Sequence, residues 1–160
     1  MRTILACILM IASTKLLVAQ NMGSNEKLML WGEYKVAKFY NGYIHAMTKT
    51  EAQNWIGKTV SFHDSINFNL ANSIRTKNGF SFTHCKINKE LQVKKTDFDK
   101  FLSDYKTSPK SLGFTSKVIK YITLNTCEYS PFSSIYIKEN GNLIISWDGV
   151  FFELIRMARL

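Results

Sequence analysis

Histidine is scarce in this chain, and that scarcity removes several chemistries at once. His45, His63 and His84 are the only three in 160 residues, and no two stand at an H-x-H or H-x-x-x-H spacing. A metal site would therefore require the fold to gather them from distant segments. His63-Asp64 and His84-Cys85 are neighbours in sequence, but adjacent strand residues point to opposite faces, so neither pair is arranged for a proton relay or thiol–imidazole chemistry. No Gly-x-Ser-x-Gly elbow, P-loop or dinucleotide-binding glycine fingerprint occurs. These absences describe a non-catalytic protein with neither metal nor cofactor.

Cysteine is almost as sparse. Cys7, Cys85 and Cys127 include no Cys-x-x-Cys pair, so neither a zinc site nor a redox motif is present. The apolar run Ile4 to Ala12 falls well short of the roughly 20 residues that span a bilayer. It follows Arg2 and precedes Leu17-Val18-Ala19, the order of a signal peptide over residues 1–19, although Lys15 interrupts the pattern. The chain is thus expected to be secreted or periplasmic, with no stable transmembrane anchor, a flexible lead-in over 20–28 and one domain over 29–160. An exported chain with two remaining cysteines favours a Cys85–Cys127 disulfide. Its closed loop makes that bond worth about 4 kcal/mol in the chain-entropy model. Two buried thiols remain the alternative.

Clustered positive charge is missing too. Lys and Arg outnumber Asp and Glu by 21 to 12, a formal charge of +9 that becomes +7 once Arg2 and Lys15 are cleaved off. The basic residues that remain are spread from Lys27 to Arg159, with Lys94-Lys95 the only adjacent pair, so the basic face that nucleic acid demands is not evident. Lysines on outer strand faces and strand edges, where they oppose edge-to-edge pairing, account for the surplus. Attraction to anionic envelopes or acidic proteins is compatible with it.

What is present is a dense succession of short strands. Asn140-Gly141 and Asp148-Gly149 each reach positive φ cheaply and predict tight primed turns. They divide Phe132 to Arg156 into three alternating runs, with Leu143, Ile145 and Trp147 on one face of the second and Val150, Phe152 and Leu154 on one face of the third. Earlier strands are expected over Leu30–Tyr40, Lys58–His63, Ser65–Leu70, Phe80–Ile87, around Leu91 and Val93, and over Lys117–Asn125. Thr48-Lys49-Thr50-Glu51 has capping-box spacing for a short helix whose Trp55 and Ile56 would lid one end of a barrel. Asp97 begins a second helix, in which Phe98, Phe101, Leu102 and Tyr105 form a buried stripe. The fold class is mainly β: an antiparallel meander of about eight strands closing into a barrel, with two short helices.

Gly32-Glu33-Tyr34 on the first strand and Arg156 at the end of the last resemble the Gly-x-Trp and distant Arg of lipocalins and related calycin barrels. Tyr34 stands where the usual Trp would be. The resemblance implies that Gly32, Tyr34 and Arg156 close one barrel end, the cation lying over the aromatic face. It also implies either a small apolar ligand inside the barrel or a protein-binding, inhibitor-like role.

Two functions follow. In the first, a small hydrophobic or amphipathic molecule sits among inward aromatics drawn from Tyr34, Phe82, Tyr136, Trp147 and Phe152. In the second, the interior is solid, as the 21 aromatic residues would permit. Function then lies on the loops Tyr40–His45 and Thr126–Phe132, which would meet an envelope or extracellular protein. Glu153 is expected to be solvated on the outer face, or a polar ligand contact on the inner one. The chain is expected to be a monomer.

Overall fold

The computed structural model describes residues 30–68, 85–87, 91, 93–127 and 130–158. The segments expected to be a signal peptide (1–19) and a lead-in (20–28), His84, Phe82 and most of the strand expected over Phe80–Ile87 lie outside them.

Nine antiparallel strands form one curled sheet: β1 (Gly32–Asn41), β2 (Thr59–Phe62), β3 (Ser65–Phe68), β4 (Cys85–Lys86), β5 (Val93–Asp97), β6 (Val118–Thr123), β7 (Ser134–Ile137), β8 (Leu143–Trp147) and β9 (Val150–Arg156). Their order is β4-β3-β2-β1-β9-β8-β7-β6-β5. Consecutive strands lie side by side except β4 and β5, which stand at the two ends of the order, and β1 also pairs with β9. The meander and its two helices agree with the sequence. The described residues hold nine strands where about eight are expected, and through them the ladder ends at β4 and β5 instead of running on into a closed ring.

Local chemistry explains the elements. Helix α1 (Lys49–Gln53) starts at Thr48 with a complete capping box: Glu51 N donates to Thr48 Oγ1 at 3.2 Å, and Thr48 N donates to Glu51 Oε2 at 2.8 Å. Helix α2 (Phe98–Tyr105) is capped by Asp97, whose carboxylate accepts from Lys100 N at 2.7 Å. Asp148 and Gly149 both have positive φ, as a primed two-residue turn requires. The Asn140-Gly141 connection differs. Only Gly141 is left-handed there, Gly141 N donates to the Lys138 carbonyl, and Lys138 N donates to the Asn142 carbonyl. This is a three-residue loop with glycine at its last position, which keeps the register by a different geometry.

Both faces of the sheet are covered from β7 to β9 and, in part, at β6. On the concave side Tyr34, Val36, Trp55, Val60, Phe62, Phe68, Ile122, Phe132, Ile135, Ile145, Phe152 and Leu154 form the main core. On the convex side α2 and the 3-10 turn η1 (Pro109–Leu112) lie over Ile119, Tyr136, Ile144 and Phe151, with Phe101 of α2 buried among them. Leu102 departs from the expected stripe and is 45% exposed. The curl brings Cys85 of β4 to Cys127 in the 3-10 turn η2 (Asn125–Cys127), with Cα atoms 5.4 Å apart, a separation that a disulfide spans.

Candidate functional site

The residues expected to line the interior fall into three groups. Tyr34 and Phe152 do point inward and are fully buried, and Trp147 packs partly against the same core. Tyr136 points the other way. It alternates with Ile135 and Ile137, which take the concave face, so its ring lies under α2 and its hydroxyl is 2.6 Å from that of Tyr105. Burial, followed by the neighbouring Tyr105, pushes the Tyr136 phenol far above its ordinary range. Phe82 is outside the described residues.

The interior aromatics touch one another. Trp55, just past α1, stacks on Phe152 with ring centroids 4.3 Å apart and meets Phe68 edge-on at 5.2 Å. Phe132 contacts Phe62 at 6.0 Å and Phe68 at 5.3 Å across the curl, and Phe62 meets Tyr34 at 5.4 Å. Edge-to-face and offset contacts at these separations are the favourable aromatic geometries. Trp55 therefore seats itself in the end of the curl near Val150.

At the opposite end Tyr34 and Arg156 are direct partners across β1 and β9, with the guanidinium 5.8 Å from the ring centroid. Arg156 Nη2 donates to the Trp31 carbonyl. Gly32 has φ +146, and a Cβ there would come within 3.2 Å of Arg156 Nε, so glycine leaves room for the cation. Burial raises the Tyr34 hydroxyl's pKa, and the Arg156 charge opposes the rise.

The most exposed large apolar side chains among the described residues stand together on the loop after β1. Tyr43 and Ile44 are each 77% exposed, yet the backbone beneath them is tied down. Gly42 N donates to the Gly149 carbonyl at 2.9 Å, Ala46 N to the Asp148 carbonyl at 2.8 Å, and Tyr43 N to Thr107 Oγ1 at 3.3 Å. A Cβ at Gly42 would strike the Gly149 carbonyl, and one at Gly149 would strike the Ile44 carbonyl and lie 2.7 Å from His45 Cα. Two glycines thus let the loop seat directly on the β8–β9 turn. The sequence makes Tyr40–His45 a candidate binding loop, but does not tell that two bare backbones fix its shape.

Glu153 occupies the convex face, as expected, but it is 3% exposed rather than solvated. Its Oε1 accepts from Asn142 Nδ2 at 2.7 Å and Lys138 Nζ at 2.9 Å; Oε2 accepts from Tyr40 Oη at 2.7 Å and lies 3.2 Å from Lys38 Nζ. Burial alone would raise this carboxyl's pKa. The hydrogen bonds from Asn142, Tyr40 and Lys138, with the Lys138 charge, outweigh burial and bring it down to about 2. Fully occupied oxygens make Glu153 a clamp from β9 to β1 and to the β7–β8 connection.

His45 Nδ1 lies 3.3 Å from the Gly42 carbonyl, within the loop. Among the described residues no group of three His, Cys, Asp or Glu side chains is placed to hold a metal ion, and no helix is long and apolar enough to cross a membrane. No protein-family model, curated protein or solved structure matches the chain.

Proposed function

We propose that this chain is an exported, non-catalytic binding protein of calycin-like build, with a barrel interior that serves as core and a loop over residues 42–46 that contacts a protein partner. One observation carries the reading: Tyr43 and Ile44 project into solvent from a backbone held at both ends by the Asp148-Gly149 turn. Exposing two large apolar side chains is unfavourable unless they are covered in a complex, and fixing the backbone beforehand lowers the entropy lost on binding. A bilayer accepts an apolar side chain from any backbone shape. A protein pocket selects one shape, so the fixed loop favours a protein partner.

The alternative is an apolar cargo held among Tyr34, Trp147 and Phe152. It has less support, because Tyr34 and Phe152 already contact Phe62 and Trp55. Native mass spectrometry of the exported chain, with a non-reduced denatured control, tests the choice. The bare chain mass is expected. Extra mass lost on denaturation and identified as a neutral apolar molecule would favour the interior reading and count against the loop.

A further inference from the structure

Concave positions on successive strands form rows around the curl. One row runs Val93, Ile122, Ile135, Ile145, Phe152 and Phe39, each the registered partner of the next, and all lie in or against the main core. The next row begins the same way. Val36, Leu154, Leu143 and Ile137 are buried core residues in register, but the row then continues into Lys120 of β6 and Lys95 of β5. Both lysines are exposed, as is the adjoining Val118, at 50%. The concave face is therefore open to solvent where the ladder ends at β5.

Lys95 and Lys120 are direct cross-strand partners, which places their Cβ atoms about 5 Å apart, an arrangement that costs stability for like charges. Neither has a salt bridge or side-chain hydrogen bond among the described residues. The acid on the same face of β5, Asp97, is engaged with Lys100 N as the cap of α2. Protection of an exposed edge accounts for an inward lysine on β5. It does not account for Lys120, because β6 is paired on both sides.

We infer that Lys95 and Lys120 form an anion site on the open concave face, taking the carboxylate or phosphate of an amphipathic molecule whose short apolar part lies along Val118, Val93 and Ile137. Two ammonium groups side by side suit an anion with several acceptor oxygens, since charge-assisted bonds are the strong ones. The adjacent apolar row supplies burial for the rest. This site is separate from the Tyr43–Ile44 loop.

Calorimetric titration of the full chain with four probes tests the inference: octanoate, octyl phosphate, octanol and acetate. Saturable one-to-one binding is expected for one or both octyl anions, and not for octanol or acetate at equal concentration. A preference between octanoate and octyl phosphate distinguishes a free carboxylate ligand from a phosphate headgroup. The K95Q/K120Q variant should bind about tenfold or more weakly, as loss of two charge-assisted contacts requires, while its melting temperature rises because the like-charge pair is gone. Absence of saturable binding by both octyl anions overturns the inference, as does unchanged affinity in the double variant. Self-association of that variant, with no anion binding by the wild type, would leave both lysines as edge protection and also overturn it.

Discussion

Gly32 and Arg156 occupy one another's space: a Cβ on the glycine would meet the guanidinium at 3.2 Å. The cation reaches the Tyr34 ring and the Trp31 carbonyl by crossing this bare backbone.

Arg156→Ala should lower stability by about 1–2 kcal/mol, the sum of a partly desolvated cation–π contact and a charge-assisted hydrogen bond. Gly32→Ala should cost at least as much, about 1–3 kcal/mol, because φ +146 is a conformation essentially reserved for glycine. Urea unfolding of both variants and of their combination checks this. The double variant should lose less than the sum, since the glycine matters partly through the arginine.

Glu153 gives the fold a pH dependence of definite sign. Its folded pKa of about 2 lies below the ordinary carboxylate range, so its stabilisation is complete above that range and is lost as pH falls toward 2. The difference is on the order of 3 kcal/mol. Glu153→Gln should be destabilised at pH 7 by a similar or larger amount, since Lys138 is then buried without its counter-charge. Wild type and variant should converge in urea midpoint as pH approaches 2. Parallel curves would show that the acid transition belongs to other carboxylates.

Cys85 and Cys127 tie β4 to η2. Chain from an exported preparation should be two mass units lighter than its reduced form, and reduction should lower stability by about 3–4 kcal/mol, as the separation of 42 residues implies in the chain-entropy model. Cys85→Ala with Cys127→Ala should match the reduced wild type within the effect of two small cavities. If reduction leaves the melting temperature unchanged, the pair does not bridge.

Tyr43→Ser with Ile44→Ser removes only exposed atoms, so stability should stay within about 0.5 kcal/mol of wild type. Partner binding should fall about a hundredfold or more, as loss of a central aromatic anchor does. Gly149→Ala should also impair binding, but by displacing the loop: φ there is +78 and the new Cβ would run into the Ile44 carbonyl. That variant should be less stable, which separates loss of contact from loss of shape.

The sequence carries most of the strands, both helix starts, the place of both late turns and the primed geometry of the Asp148-Gly149 one, because alternation, capping and glycine chemistry are local. What it carries poorly is which face a strand presents when both are covered. Ser134-Ile135-Tyr136-Ile137 is apolar on both sides, so nothing in the segment tells that Tyr136 lies under α2 and Ile135 in the core. Glu153 is similar. Its solvated appearance follows from alternation alone, whereas its burial depends on Tyr40 of β1 and on Lys138 and Asn142 of the β7–β8 connection. Lys95 opposite Lys120 is a fact of register, which no single strand contains.

The adjacency of β1 and β9 has a kinetic meaning. Strands β1–β4 and β5–β9 are each a run of consecutive antiparallel neighbours, built from short-range contacts that form quickly. The first strand reaches the second run only through β9, across a chain separation such as the 113 residues between Tyr40 and Glu153. On contact order the two halves are expected to meet late, and the Cys85–Cys127 pair joins the same two halves from the other side. A chain re-ligated so that β9 runs directly into β1, and opened between β4 and β5, would turn that distant search into one more hairpin.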